Sequence, residues 1–198
     1  MELREVPHRP QRHGRGALRA AGRTRHRRGR PGHREGAALT AALTQVAVCG
    51  PGDCTETERR AAYEVGRLLA ARGAVVLCGG YGGVMGAATE GARSAGGLVV
   101  GVLSGDDRAE AHPDLSAALA TGMGQARNAL IVGSADAVIA VGGSWGTLSE
   151  VAHALRRGTI PVVQLGGWRL YDPDGEPVPG AAEAASPEEA VALTGLWP

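Results

Sequence analysis

From residue 44 onward the sequence predicts an α/β fold: a Rossmann-like, doubly wound parallel sheet of five or more strands in a single domain, residues 44–198. Short valine-rich runs alternate with longer stretches of helical period, which is the pattern of successive β and α elements. The runs are apolar throughout rather than at every second position, which indicates strands covered by helices on both faces. A chain of 198 residues is also long enough to build one core and short for two.

The alternation divides this domain into successive elements. The predicted strands span residues 46–49, 74–78, 98–103, 137–141 and 160–165, and the predicted helices span residues 56–72, 84–95, 125–134 and 148–157. Thr55 and Glu58 have the spacing of a capping box before the first helix. Ser186 is the predicted cap of a short final helix that has Pro187 in its first turn. Residues 166–185 are rich in glycine and proline and predict an irregular surface loop.

Residues 1–43 differ from the rest in charge and composition. They carry eleven arginines and three glutamates, whereas residues 44–198 carry ten arginines and seventeen acids. With few bulky apolar side chains, the first segment cannot offset the entropy of ordering, and a disordered Arg/Gly/His-rich tail is predicted. Three interpretations of this segment are open: a tail that binds anions or nucleic acid, a transit peptide, or a stretch that is not part of the functional protein. The absence of serine disfavours a transit peptide, and the third interpretation is favoured. The acidic domain makes nucleic acid an unexpected partner.

All 21 basic residues are arginine, and the chain contains no lysine. This excludes a Walker-type phosphate loop and pyridoxal phosphate catalysis, because both need a lysine. The three cysteines, Cys49, Cys54 and Cys78, follow none of the usual zinc spacings and indicate reduced, mostly buried thiols without a metal site. The sequence has no apolar signal segment and no membrane-spanning run, so we expect a cytoplasmic protein with no membrane partner.

A glycine-rich turn at residues 79–86 follows the second predicted strand and opens the next helix, with five glycines. In a parallel sheet such turns lie at the carboxyl ends of the strands, where backbone amides and a positive helix end meet the ligand. Glycine lets this backbone approach an anion without an intervening Cβ. A tight turn alone needs only one or two glycines, so we expect ligand contacts here. The candidate residues are Gly79, Gly80, Gly82, Gly83 and Met85.

A second glycine-rich turn follows the fourth predicted strand and again opens a helix. Its candidate ligand-binding residues are Gly142, Gly143, Ser144, Gly146 and Thr147. Glu150 lies three residues after Thr147, and this spacing allows two interpretations. The carboxylate either completes a capping box with Thr147, which the spacing favours, or it faces the ligand.

Arg127 lies at the predicted start of a helix, where the macrodipole disfavours a cation. An anionic partner would explain this position, and an ordinary solvated arginine is the alternative.

Together these segments resemble the Lonely Guy (LOG) proteins and their neighbours in the SLOG group of Rossmann-like nucleotide-binding proteins, once described as possible lysine decarboxylases. The resemblance covers residues 45–165. It rests on Gly-Gly-x-Gly-Gly-Val-Met-Gly at 79–86, on the segment around Arg127 and on Gly-Thr-x-x-Glu at 146–150, in the order of the family. The absence of lysine independently excludes the older description.

The resemblance implies a homodimer or higher homo-oligomer that binds a nucleoside 5′-monophosphate-like ligand on the two turns. In the family's phosphoribohydrolases the matching arginine and glutamate are catalytic, which makes Arg127 and Glu150 the candidates here. The implied reaction hydrolyses the N-glycosidic bond and requires no cofactor. A carboxylate can stabilise the oxocarbenium-like sugar and orient water, while an arginine holds the ring hydroxyls or the phosphate.

Two positions favour an alternative without catalysis. The family's enzymes usually have a proline where this chain has Gly142 and a lysine where it has Asn128. In these respects the chain looks more like the shorter branch that includes molybdenum cofactor carrier proteins, whose ligand is a phosphorylated pterin. The sequence therefore predicts ligand binding and leaves three functions open. They are a phosphoribohydrolase, a non-catalytic carrier of molybdenum cofactor or a nucleotide and, as a weaker alternative, single-stranded nucleic-acid binding.

Overall fold

Strands and helices alternate along residues 42–198, the part of the chain that the computed structural model describes. The strands are β1 (Gln45–Cys49), β2 (Val75–Cys78), β3 (Leu98–Leu103), β4 (Ala117–Ala120), β5 (Ala137–Val141), β6 (Val162–Leu165) and β7 (Ala182–Ala184). The helices are α1 (Glu56–Ala71), α2 (Gly83–Ser94), α3 (Asn128–Gly133), α4 (Trp145–Arg157) and α5 (Pro187–Ala192), and a 3₁₀ turn (Gly124–Arg127) precedes α3. The predicted tail, residues 1–43, lies outside the described residues except for its last two positions.

All seven strands pair in parallel in one sheet, in the order β4-β3-β2-β1-β5-β6-β7. The chain winds outward from β1 to β4, returns to the other side of β1 and winds outward again to β7. Helices α1, α2 and α5 cover one face of the sheet, and α3 and α4 cover the other. This doubly wound arrangement confirms the predicted fold class.

Each central strand is apolar at consecutive positions because its two faces meet different helices. In β1, Val46 and Val48 belong to the core beneath α1 and α2, whereas Ala47 and Cys49 belong to the core beneath α3 and α4. Successive side chains of a strand point to opposite faces, so both sets must be apolar.

The caps predicted for the first and last helices are present. Thr55 Oγ1 accepts a hydrogen bond from the Glu58 amide at 3.2 Å, and the Glu58 carboxylate accepts one from the Thr55 amide at 2.8 Å. Ser186 Oγ accepts from the Glu189 amide at 3.2 Å, with proline in the first turn of α5. Both helices therefore begin where their sequence signals indicate.

Two strands differ from the prediction. The segment 166–185 is not irregular throughout, because Ala182–Ala184 pairs in parallel with β6. A three-residue strand at the edge of a sheet is too short to show a period. The other difference is Ala117–Ala120, which was not predicted because its Ala-Ala-Leu-Ala sequence has no β-branched or aromatic residue. The predicted helix at 125–134 is also divided between the 3₁₀ turn and α3.

Within residues 42–198, no helix combines the length and the apolar character needed to cross a membrane.

Candidate functional site

A cleft of about 490 Å³ opens at the carboxyl edge of the sheet, where the strand order reverses between β1 and β5. Open α/β sheets bind their ligands at this switch point. Residues that were predicted from the sequence form one part of its lining. They are Met85, Arg127, Ser144, Gly146, Thr147 and Glu150.

The two predicted catalytic residues contact each other in this cleft. Arg127 Nη1 donates to Glu150 Oε1 at 3.0 Å, and only 8% and 7% of the two side chains are exposed. The same Nη1 donates to Asn128 Oδ1 at 2.6 Å. Arg127 is therefore not a solvated arginine. A buried carboxylate explains why a cation lies at the start of a helix.

Glu150 does not cap a helix. Helix α4 begins at Trp145, three residues earlier than predicted, and its N-cap is Ser144. Ser144 Oγ accepts from the Thr147 amide at 3.3 Å and lies 3.0 Å from Thr147 Oγ1. The capping-box interpretation of Thr147 and Glu150 is therefore wrong, because Glu150 lies well inside the helix and its carboxylate is bound to Arg127.

The surroundings of Glu150 make its ionised form costly. Burial raises the pKa of the Glu150 carboxyl, and the charge of Arg127 and the hydrogen bonds from Cys49 and Arg127 oppose this shift only in part. Burial also raises the pKa of Cys49 well above its usual value, and the neighbouring Glu150 charge adds to that shift. Such a thiol is a poor nucleophile, so Cys49 is a buried neutral neighbour of Glu150.

Two buried donors in this network have no hydrogen-bond partner among the described residues. They are Arg127 Nε and Asn128 Nδ2. An unpaired buried donor costs on the order of 1–3 kcal/mol, so it is rarely left without a reason. Because both residues line the cleft, an acceptor atom of a ligand in the cleft would satisfy them.

Three predicted glycines of the first turn allow close packing around the site. A Cβ on Gly79 would lie 2.5 Å from Arg127 Nη2 and 2.6 Å from Met85 Sδ, so glycine leaves the space that the guanidinium occupies. A Cβ on Gly80 would collide with β3, and one on Gly83 with the loop after β1. These glycines bring the walls of the site together, while Met85 is the predicted residue of this turn that lines the cleft.

The remaining predicted glycines, Gly82, Gly142 and Gly143, are not among the residues that line the cleft. Gly82 is the N-cap of α2 and has open space where a Cβ would be. A Cβ on Gly142 would collide with the Glu58 carboxylate, and one on Gly143 would lie 2.8 Å from Trp168 Cδ1. Neither position therefore has room for a side chain. Gly142 has a φ of +67°, which proline cannot adopt. A proline at this position would therefore require a different backbone conformation.

Sequence reasoning missed the rest of the lining. It includes Gly50, Gly52, Tyr81, Ser104, Glu110, Gln125 and Asn128. The Gly50 to Gly52 segment carries a detectable signal, because it is a further glycine turn after a predicted strand. Nothing in the local sequence indicates Ser104 or Glu110, which the chain path brings to the cleft.

Tyr81 connects the first turn to the loop after β3. Its hydroxyl accepts hydrogen bonds from the amides of Ser104 at 3.0 Å and Gly105 at 3.2 Å, and it also lies 3.0 Å from Ser104 Oγ. Burial alone would raise the pKa of Tyr81, but these hydrogen bonds outweigh it and lower the pKa. The wall of the cleft between β2 and β3 is therefore fixed by backbone contacts.

One known protein is similar to this chain in sequence, and two solved structures are similar to it in both sequence and fold. An uncharacterised protein of Archaeoglobus fulgidus is 45% identical over 142 residues, which covers 69% of this chain and 93% of that protein. The molybdenum cofactor binding protein of Rippkaea orientalis is 35% identical and superposes with a TM-score of 0.69, covering 78% of this chain and 96% of the other. The Moco carrier protein of Chlamydomonas reinhardtii is 36% identical with a TM-score of 0.65, covering 76% of this chain and 94% of the other.

The sequence pattern of the SLOG cluster4 family matches residues 43–191. The match contains all seven strands, both glycine turns and the Arg127–Glu150 pair. The chain therefore belongs to the SLOG cluster4 family.

Proposed function

We propose that this protein binds a phosphorylated pterin of the molybdenum cofactor class in the cleft and carries it without cleaving it. The observation that carries the proposal is the closed Arg127–Glu150 ion pair. A hydrolytic carboxylate must face the sugar and the attacking water. Here Glu150 Oε1 accepts from Arg127 at 3.0 Å and only 7% of the Glu150 side chain is exposed, so this oxygen is engaged within the protein.

The same network fits a ligand that is rich in acceptors. Arg127 Nε and Asn128 Nδ2 are buried donors that find no partner within residues 42–198, and both residues line the cleft. A pterin presents ring nitrogens and a carbonyl oxygen, and its phosphate presents further acceptors. Two donors at the back of the cleft would therefore gain hydrogen bonds on binding and would orient the ligand.

The first turn of α4 supplies the second anchor. Ser144, Gly146 and Thr147 line the cleft at the N-terminus of this helix, where the macrodipole and the free amides favour an anion. Because Arg127 is already paired with a carboxylate and the chain has no lysine, we assign the phosphate to backbone amides rather than to a cationic side chain.

Similarity to other proteins supports a cofactor over a free nucleotide. A molybdenum cofactor binding protein and a Moco carrier protein share 35% and 36% identity with this chain over about three quarters of its length. The homodimer or higher oligomer, the cytoplasmic location and the hydrolase alternative stay predictions from the sequence.

A loading experiment tests the proposal. Cofactor released from a denatured molybdoenzyme is mixed with the purified chain, which is then desalted and assayed for molybdenum by mass spectrometry and for pterin by fluorescence. We expect both to stay with the wild-type protein in a fixed ratio. Gly146→Asp adds a carboxylate where we place the phosphate and should abolish retention. Gly133→Asp makes the same change at an exposed position outside the cleft and should not.

A second measurement separates carriage from hydrolysis. Incubation with AMP and GMP should release no more free base from the wild type than from Glu150→Gln. A wild-type protein that loses molybdenum and pterin on desalting would contradict the carrier function. Base release above the Glu150→Gln level would instead favour the phosphoribohydrolase.

A further inference from the structure

Asn128 is a buried amide in the lining of the cleft, and its orientation is determined by a neighbour. Its side-chain oxygen, Oδ1, accepts a hydrogen bond from Arg127 Nη1 at 2.6 Å, and the residue is only 1% exposed. An amide turned the other way would place its NH2 group against the guanidinium, donor against donor. The contact with Arg127 therefore commits Oδ1 to the protein and leaves Nδ2 as the end of the amide that can meet a ligand.

This end of the amide is a donor that finds no acceptor within residues 42–198. Neither Asn128 Nδ2 nor Arg127 Nε has a hydrogen-bond partner there, and both residues line the cleft. A ligand in the cleft can therefore supply the acceptors. An asparagine that is free to rotate can pair with an amino group through its oxygen or with a carbonyl group through its nitrogen. Because the oxygen is engaged here, Asn128 can pair only with an acceptor.

The position of Asn128 suits a neutral acceptor better than an anion. Arg127 Nη1 donates to Asn128 Oδ1 and also to Glu150 Oε1, so the amide lies beside the Glu150 carboxylate. The charges of Arg127 and Glu150 balance each other, and a phosphate next to Asn128 would gain no net attraction from the pair while it faced the carboxylate. The carbonyl oxygen of a heterocyclic ring avoids this repulsion. The buried amide is therefore suited to the ring of the ligand rather than to its phosphate.

We propose that Asn128 selects a ring that carries a carbonyl group, by donating from Nδ2 to the oxygen of a 4-oxopteridine or a 6-oxopurine. In a 4-aminopteridine or an adenine, an amino group takes the place of this carbonyl. Its N–H groups meet the Asn128 donor and leave it unpaired, a mismatch that sites built on hydrogen bonds reject strongly. The cleft therefore binds pterin-type and guanine-type rings in preference to adenine-type rings. This selection rests on the proposed function, because it concerns the ring of the same phosphorylated ligand.

Isothermal titration calorimetry on the full chain tests the selection with two probes that differ in the substituent at position 4 of the ring. 6-Hydroxymethylpterin phosphate has the carbonyl group there, and 2,4-diamino-6-hydroxymethylpteridine phosphate has an amino group. We expect the wild type to bind the diamino probe about ten- to a hundredfold more weakly, the range expected when one buried donor loses its acceptor. Both probes carry the same phosphate, so the ratio of the two dissociation constants reports recognition of the ring.

Asn128→Asp makes the complementary change in the protein. It puts an oxygen in the place of Nδ2, so the diamino probe gains a partner and the preference of about tenfold or more for the carbonyl probe should disappear or reverse. Gln125→Glu is the matched control, because it makes the same amide-to-acid change at an exposed residue that lines the cleft. Its added charge acts on the phosphate of both probes alike, so the ratio should stay within about twofold of the wild type.

The outcomes distinguish the selection from the proposed function. A wild type that binds both probes equally would overturn the selection and leave the proposed function in place, and this measurement needs no variant to fold. A folded Asn128→Asp protein that keeps the wild-type ratio would also overturn the selection, because the discrimination would then come from another residue. A wild type that binds neither probe would overturn the proposed function and the selection with it.

Discussion

The energetics of the Arg127–Glu150 ion pair are set by burial as much as by the attraction between the two charges. Removing two ions from water costs several kcal/mol for each ion, and the 3.0 Å contact with its supporting hydrogen bond from Arg127 to Asn128 returns only part of this cost. The raised pKa of Glu150 has the same origin, since desolvation outweighs the attraction of Arg127. The pair is therefore weak evidence of a stabilising role, and what it gives the cleft is a polar surface.

Replacing Arg127 alone should be strongly destabilising. Arg127→Met leaves Glu150 as an uncompensated buried carboxylate, and we expect a loss of about 3–5 kcal/mol in the free energy of unfolding. The double variant Arg127→Met, Glu150→Leu removes both charges and should recover most of this loss. Urea denaturation of the three proteins measures the effect. A double variant as unstable as the single one would show that packing of the arginine stem, not the unpaired charge, is responsible.

The residues of the site could be predicted from the sequence more readily than their contacts. Motif spacing identified Arg127, Glu150, Ser144, Gly146 and Thr147, and all of them line the cleft. The ion pair joins positions far apart in the chain, so no local pattern indicates it. The capping prediction failed because two hydroxyl residues, Ser144 and Thr147, could each begin the helix, and the structure uses the first.

Elements with strong end signals were predicted closely, and elements without them were not. The capped helices α1 and α5 begin where the sequence indicates, and the valine-rich strands agree within two residues. The two outermost strands, β4 and β7, are alanine-rich or very short, and their place is set by pairing with a neighbour. The start of α4 was predicted too late because Trp145 and Gly146 are weak helix formers. The N-cap at Ser144 stabilises the first turn enough for both residues to be helical.

The packing of α1 against α2 gives a prediction at the scale of elements. A Cβ on Gly66 would collide with the backbone of Ala88, and one on Gly91 with the backbone of Tyr63. Gly66→Ala should therefore destabilise the protein by about 1–3 kcal/mol through overpacking, although alanine is the better helix former by about 1 kcal/mol.

Gly133→Ala is the matched control in α3. In the described part of the chain, no heavy atom outside the helix's own backbone lies within 4 Å of a Cβ added to Gly133, and its φ is not positive. Alanine should therefore be neutral or stabilising by up to about 1 kcal/mol. Thermal unfolding of both variants measures the difference. Similar shifts in Tm would contradict a steric role for Gly66.

At the scale of the whole molecule, the strand order determines which turns form the site. Because β1 lies next to β5, the Gly50 to Gly52 loop faces the first turn of α4 across the switch point. The turn after β2 reaches the cleft mainly through Tyr81 and Met85. The sequence indicated the correct edge of the sheet, because all the turns that follow strands lie there. The hydrophobic period does not give the order of the strands, and the sequence analysis therefore assigned too many ligand contacts to the first glycine turn.

The titration of Glu150 should also affect the stability of the whole domain. Burial raises the pKa of Glu150 in the folded chain, so the folded state holds this proton more tightly than the unfolded state does. By linkage, the resulting stabilisation is fully present below the unfolded-state pKa and is lost as the pH rises through the folded-state pKa. The free energy of unfolding of the wild type, taken relative to Glu150→Gln, should therefore fall as the pH is raised from about 4 toward 7. The fall is about 1.4 kcal/mol for each unit by which the pKa is raised.

Urea denaturation of both proteins across this range measures that difference. The other titrating groups are common to the two proteins, so their contributions cancel to first order. A difference that does not change with pH would mean that Glu150 titrates as it does in the unfolded chain. A difference that instead grows in favour of the wild type would mean that pairing with Arg127 outweighs burial, since a lowered carboxyl pKa gives stability that appears as the pH rises.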